Sequence, residues 1–214
     1  MAVSAVLSDR AILTAAEAEN YIHGEDAATN LSDKQKDNIR LLINGVSATF
    51  ERITGLPLVK REFTEITNTK GKTIYWLKNY PVDVDAETGD PVLVIYTRPD
   101  HTSDWGEEDA DDYYVDADNG RIDFTGTYIY TGPGTLKVVY TAGIAEQTRD
   151  EETDELDSVD IADDWRSMAL ATVNYLHQKD LASFSRVQEG VMIVADALPK
   201  LVRDFLELNS KVKT

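Results

Sequence analysis

The sequence contains no cysteine in its 214 residues, which excludes disulfide staples, thiolate metal sites and cysteine nucleophiles together. Histidine is almost as scarce. His23, His101 and His177 stand far apart, with no second histidine at metal-ligand spacing, and each reads as a surface or helix-packing residue. Basic residues are few: 21 Lys and Arg against 39 Asp and Glu, a formal charge of −18. That balance disfavours a general surface that grips nucleic acid phosphates and disfavours docking on anionic lipid. No apolar run approaches the roughly 18–20 residues of a membrane helix. The stretch Met1–Arg10 lacks a basic region followed by an apolar core, so no secretory leader is expected. The expectation is a soluble acidic protein, made and kept in the cytoplasm or in something assembled there.

Enzyme signatures are missing too. No glycine-rich loop ends in Lys-Ser/Thr, and no serine sits in a Gly-x-Ser-x-Gly elbow. Gly132-Pro133-Gly134 has no helical pattern behind it and reads as a turn, not a phosphate cradle. Asp83, Asp85 and Glu87 alternate like calcium-loop ligands, but Gly89 falls one place late and no bidentate glutamate follows. Asp116 and Asp118 have Gly120 one place early, so both sets read as turn acids. With 39 carboxylates, pairs at glycosidase spacing arise by chance. Neither catalysis nor a cofactor or metal is expected.

What the chain does have is enough apolar residue, 42%, for a packed core, and enough length for one substantial domain or two small ones. It also has a concentrated charge. Nine acids and one base fall between Asp104 and Asp123, and ten acids and one base between Glu146 and Asp164. The remaining chain holds 20 acids and 19 bases and is almost neutral. Blocks of like charge repel, extend and stay wet, so solvated loops compete with any functional reading of these two segments.

Residues 1–13 read as a loose lead-in. Thr14 with Glu17 makes a capping box and Gly24 a stop, which predicts a short helix over 15–23. Ser32 with Gln35 starts a second helix. Ile39, Leu42, Ile43, Val46, Phe50 and Ile53 fall on one face of it, and Gly55 and Pro57 end it. Short β-rich runs follow at Val59–Ile66, Thr73–Leu77, Val92–Thr97, Tyr113–Val115, Arg121–Phe124 and Leu136–Tyr140. Turn signals separate them at Asn68–Gly71, Thr88-Gly89-Asp90, Asn119-Gly120 and Gly132-Pro133-Gly134. No helical stretch intervenes, so antiparallel hairpins are expected, with Asn119-Gly120 the best tight turn. The segment 146–162 reads as an exposed acidic loop. Asp163 or Asp164 then caps a helix through about Lys179, with Trp165, Met168, Ala169, Thr172 and Leu176 on one stripe. Val191–Val194 fits a short strand or a buried turn. A last helix begins near Asp196, tolerates Pro199 in its first turn, and carries Leu198, Leu201, Val202, Phe205 and Leu208 on its apolar face. The class is α+β: helices 1–57 and 146–214 form one bundle, and residues 58–145 a central antiparallel β region.

Several of these segments, taken in order, resemble the head–tail connector (adaptor) proteins of tailed bacteriophages. They are the short helix Leu13–Ile22; the long helix ending in Glu51-Arg52-Ile53-Thr54-Gly55; Tyr80-Pro81-Val82; Gly120-Arg121-Ile122; and Val138-Val139-Tyr140-Thr141-Ala142-Gly143. The acid-capped helix Asp164–Lys179 and Leu198-Pro199-Lys200-Leu201-Val202-Arg203-Asp204-Phe205-Leu206 complete the series. The acidic stretch Arg98–Asp112 and the loop 146–162 are longer than the family pattern. The resemblance implies a structural virion protein, located in the neck and in the host cytoplasm during assembly. It implies a homo-oligomeric ring, usually of twelve subunits, beneath the portal at the capsid vertex. The ring presents a platform for stopper or tail proteins, and double-stranded DNA passes through its lumen without specific binding.

In that setting an acidic channel wall repels phosphates and lets DNA slide. Asp104, Glu107, Glu108, Asp109, Asp111 and Asp112 are the candidate lumen residues. Leu201, Val202, Phe205 and Leu208, with Lys211 and Lys213, are the candidate portal contact, an amphipathic element laid in a partner groove. The alternative for that face is completion of the subunit's own core. Competing whole-protein readings are an acidic DNA mimic that blocks a host nuclease, and a calcium-binding or carbohydrate-active β-domain.

Overall fold

The computed structural model describes residues 5–24, 31–69, 71–125, 132–179 and 198–210. The chain divides into two compact units, Met1–Val59 with Ala145–Thr214, and Lys60–Ile144.

In the first unit, helix α1 spans Ala15–His23 and α2 Asp33–Thr54. Both start as the capping boxes predict. The Glu17 amide donates to Thr14 Oγ1 at 3.1 Å while Glu17 Oε2 accepts from the Thr14 amide at 2.8 Å. Gln35 Oε1 likewise accepts from the Ser32 amide at 3.0 Å. Gly55 closes α2 in the left-handed region, φ 70°, where glycine carries no Cβ penalty. Ile39, Leu42, Ile43, Val46 and Phe50 are all buried, as their helical spacing requires. Helix α3 (Asp163–Gln178) and helix α4 (Lys200–Leu208) complete the bundle. Packed pairs are α1 with α2, α1 with α3, α2 with α3, and α2 with α4. At its centre the Trp165 ring lies 6.4 Å from Phe50 and 5.0 Å from Phe205, edge to face with the latter. The N-cap of α3 is Ala162, so Asp163 and Asp164 lie inside the first turn. They favour the helix through its dipole instead of capping it.

Two expectations are corrected here. Residues 5–13 are not loose: Leu7, Ala11, Ile12 and Leu13 are buried. Asn44 of α2 accepts from the Ser8 amide and donates to the Val6 carbonyl, both at 2.9 Å, and Ser47 Oγ accepts from the Ile12 amide at 3.1 Å. The acidic stretch 146–162 is not a loop but a hairpin of strands β8 (Glu146–Arg149) and β9 (Leu156–Asp160). Leu156, Val159 and Ile161 are buried, so the few apolar residues anchor the hairpin while its carboxylates face out. Gln147 donates to the Ala11 carbonyl at 2.6 Å, and Arg149 to the Ser8 carbonyl at 2.8 Å. The stretch Val191–Val194 and the helix start near Asp196 lie outside the described residues.

The second unit holds strands β1 (Arg61–Thr69), β2 (Ile74–Trp76), β3 (Leu93–Thr97), β4 (Gly106–Glu107), β5 (Tyr113–Asp116), β6 (Arg121–Phe124) and β7 (Gly132–Ala142). They make two antiparallel sheets, ordered β1-β7-β3-β4 and β2-β6-β5. Ile95, Leu136, Val138, Tyr140 and Ala142 from the first sheet pack with Ile122 and Phe124 from the second. Of the expected hairpins, β5–β6 forms around Asn119-Gly120, whereas β1–β7, β3–β7 and β2–β6 are long-range pairings. Chain-distant strands pair because period-two burial favours joining any two apolar faces, whatever their separation in sequence.

Inside this core Glu65 is 7% exposed. It accepts from the Tyr140 hydroxyl, from the Tyr75 hydroxyl at 3.0 Å and from the Lys78 amide at 2.8 Å. A buried carboxylate is tolerable only with its lone pairs met in this way.

Candidate functional site

Asp104, Glu107, Glu108, Asp109, Asp111 and Asp112 occupy an ordered edge of the second unit. β4 pairs with β3, Tyr96 opposite Glu107. The Glu108 amide donates to the Ile95 carbonyl at 2.9 Å, and its carboxylate accepts from the Thr97 hydroxyl. A short 3-10 turn, Ala110–Asp112, is capped by Asp109, whose carboxylate accepts from the Asp111 amide at 3.2 Å. Asp104, Glu107, Asp109 and Asp111 are exposed; Glu108 and Asp112 are half-buried. Four carboxylates thus face solvent from a pinned backbone. Their field is felt nearby: burial first, then Glu107, Asp109 and Glu108, push the Tyr113 phenol upward.

The second acidic run, on the β8–β9 hairpin, belongs to the other unit. Its tip is held by Asp150, whose carboxylate accepts from the Glu152 amide at 3.0 Å and the Thr153 amide at 2.8 Å. Those bonds hold the Asp150 carboxyl below its ordinary value, the Thr153 hydroxyl contributing most. The calcium-like acids are occupied in the same manner. Asp85 accepts from the Glu87 and Thr88 amides, each at 2.9 Å, Asp83 pairs with Lys60 at 2.8 Å, and Asp116 accepts from Asn119 Nδ2 at 2.9 Å. Among the described residues no three His, Cys, Asp or Glu side chains are grouped to hold a metal.

The terminal helix divides its proposed contact residues. Val202 is 2% exposed and Phe205 packs edge-on against Trp165, so these two serve the bundle. Leu201 and Leu208 are 68% and 69% exposed and stand two turns apart on the outer side. Leu206, which closes the connector-like element but is absent from the apolar face expected of this helix, is fully buried. Lys211 and Lys213 lie outside the described residues.

Other arrangements were missed. His23 and His177, read as isolated, meet edge to face at 5.2 Å across the C-terminal ends of α1 and α3. Burial and then the His23 charge lower the His177 value. Ile66, Ile74, Trp76 and Tyr114 are large apolar residues left exposed on the β-sheets. The signal was present in Ile74-Tyr75-Trp76 and Tyr113-Tyr114, where bulky residues occupy both faces of a strand.

A helical bundle and an antiparallel two-sheet unit with ordered acidic edges define an α+β protein in which, among the described residues, no metal-holding group of side chains is assembled. The fold is similar to that of chains in solved gene transfer agent particles. A chain in the neck of an empty gene transfer agent (GTA) particle, computed with C6 symmetry, aligns at TM-score 0.58 and 16% identity, over 100% of this chain and 97% of that one. A chain from the virion of a native gene transfer agent aligns at TM-score 0.58 and 16% identity, covering 98% of this chain and 94% of that one. A chain in the neck of a native GTA particle, computed with C12 symmetry, aligns at TM-score 0.55 and 15% identity, over 100% and 97%. No curated protein matches the chain. The family model for head completion proteins matches residues 11–212, and the chain belongs to that family. The likeness to head–tail connector proteins read from the sequence is thereby borne out.

Proposed function

We propose that this head completion protein is the adaptor subunit of the neck. It binds the portal, closes into a ring at the capsid vertex and carries the stopper or tail proteins, while the double-stranded genome passes through the lumen. The observation that carries this reading is the family match over residues 11–212. The full-length fold likeness to GTA neck chains computed with C6 and C12 symmetry supports it.

The chemistry is consistent with the role. Asp104, Glu107, Asp109 and Asp111, with Glu108 and Asp112 behind them, give a channel wall that phosphates do not adhere to. Leu201 and Leu208 supply apolar anchors for the portal; Lys211 and Lys213 extend the same element in sequence. The role asks for binding surfaces and no catalytic step. The protein would act in the virion neck and assemble in the host cytoplasm.

The test is coexpression with the portal protein, followed by size-exclusion chromatography and negative-stain imaging. A ring stacked on the portal is expected. A chain that never coelutes with portal, but is retained on a basic nuclease column at moderate salt, would overturn the reading in favour of a DNA mimic.

A further inference from the structure

The two-sheet unit Lys60–Ile144 buries one face of each sheet in its core and turns the other outward. On the outer side of β1-β7-β3-β4, the register sets Thr64, Val139 and Val94 in one row. Ile66, Lys137, Tyr96 and Glu107 form the next. The Lys137 ammonium lies 4.0 Å from the Tyr96 ring centre and 5.2 Å from that of Trp105, and the Arg98 guanidinium 4.1 Å from Trp105. On the outer side of β2-β6-β5, Ile74, Asp123 and Tyr114 form one row and Trp76, Arg121 and Asp116 the other. Arg121 pairs with Asp123 at 2.7 Å and lies 5.9 Å from the Trp76 ring.

Both outer faces carry more apolar surface than solvent exposure alone rewards. Ile66 and Trp76 are each 57% exposed, Tyr114 64% and Ile74 42%. Trp, Tyr and Arg are the residue types that anchor protein interfaces. The charges are unequal between the faces. On the first, Lys137 and Arg98 frame Trp105, with Glu62 and Glu107 at opposite ends of the sheet; on the second, two aspartates stand against one arginine.

A closed ring has a geometric demand that these faces meet. Each copy must offer one surface to the neighbour on its left and a different one to the neighbour on its right. A two-layer sandwich presents two different surfaces on opposite sides. We infer that the outer face of β1-β7-β3 on one copy, with the edge strand β4 and its Glu107 left outside the contact, seats the outer face of β2-β6-β5 on the next, with the Lys137–Arg98 cations against Asp116 and Asp123. This contact rests on the ring reading above and specifies which surfaces build it.

The absence of cysteine makes the test direct. Thr64→Cys marks the first face and Ile74→Cys the second, both at solvent-facing positions that leave the core intact. Chains carrying both substitutions, assembled on the portal, are treated with a flexible bismaleimide and run on a denaturing gel. A ladder of dimers, trimers and higher species is expected from the double variant, and none from either single variant. Dimers from Thr64→Cys alone or Ile74→Cys alone would mean that a face meets itself, and would overturn the contact. Rings that form yet give no ladder overturn it as well, leaving the ring standing. Failure to find rings in images of the wild-type complex overturns the ring, and the contact with it.

Discussion

The Tyr140 hydroxyl donates to the Glu65 carboxylate inside the two-sheet core, joining β7 to β1 by a side-chain bond between residues 75 positions apart. Their backbones lie in paired strands, but the two are not direct partners: Tyr140 faces Phe63, with ring centres 5.7 Å apart. The carboxylate reaches further, to Tyr75 and to the Lys78 amide. One buried acid therefore ties both sheets and the connection after β2.

Removing that acid should be costly, because each buried donor left unpaired costs about 1–3 kcal/mol. Glu65→Ala is expected to destabilise the full chain by about 3 kcal/mol and Tyr140→Phe by about 1 kcal/mol. The double variant should fall short of the sum, since the two share one interaction. Urea denaturation of the three variants measures this; strict additivity would show that the contact carries no energy.

The same acid makes the core sensitive to alkali. Burial, then the Glu65 charge and hydrogen bond, push the Tyr75 phenol up from 10.0 to about 12, and Tyr140 is raised for the same kinds of reason. A group raised on folding stabilises fully below its unfolded value and loses that contribution as pH climbs through its folded value. Stability should therefore decline between pH 10 and about 12. Tyr75→Phe is expected to flatten that decline in thermal melts and to remove one late phase from the tyrosinate absorbance titration.

Exposed turn carboxylates respond at the other extreme. The Asp100 carboxyl is held at about 2, mainly by the Thr102 hydroxyl and amide. Its turn is favoured while the carboxyl is ionised, and that contribution fades as pH falls from 3.8 towards about 2. Carboxyl-resonance NMR should show Asp100 titrating near about 2, below the ordinary aspartate value of 3.8, and Thr102→Ala should raise its midpoint.

Gly120 closes the β5–β6 hairpin at φ +64°, and a Cβ placed there would meet Tyr80 Cβ at 3.0 Å. Gly120→Ala carries both the left-handed backbone cost and a displacement of Tyr80, together about 2 kcal/mol. Gly89, at φ +75° with nothing near its missing Cβ, should cost about 1 kcal/mol as alanine. Thermal denaturation of both variants separates the steric part from the backbone part.

In the proposed portal contact, the exposed and buried residues of the terminal helix separate docking from folding. Leu201→Ser with Leu208→Ser should leave the melting temperature nearly unchanged and abolish coelution with portal. Val202→Ala should cost about 2 kcal/mol of stability while portal binding persists at low temperature. Reversing charge at Asp109, Asp111 and Asp112 tests the channel wall, with slowed genome release the expected outcome; particles that release DNA normally would sink the lumen assignment.

Local structure was legible wherever adjacent residues decide it. Capping boxes at Thr14–Glu17 and Ser32–Gln35, the left-handed stop at Gly55 and the stripe Ile39 to Phe50 depend on neighbours within a turn or two. The observed helices start and stop there. Most strand runs and the Asn119-Gly120 turn were readable for the same reason, but β4 at Gly106–Glu107 was not, and Gly132-Pro133-Gly134, expected as a turn, opens β7. The β8–β9 hairpin was not. Its charge density concealed Leu156, Val159 and Ile161, whose burial depends on a bundle formed largely by residues more than a hundred positions earlier.

The sequence alone determined the α+β class, the two acidic runs on a near-neutral body and the connector-like order of elements, because these follow from composition, periodicity and short-range hydrogen bonding. Tertiary structure alone decided the rest. It assigned the acidic runs to different units, buried Val202 while leaving Leu201 and Leu208 outside, brought His23 against His177, and set Glu65 under two tyrosines. Each outcome depends on which apolar faces meet across long stretches of chain, and that choice is made by the free energy of the whole packed core.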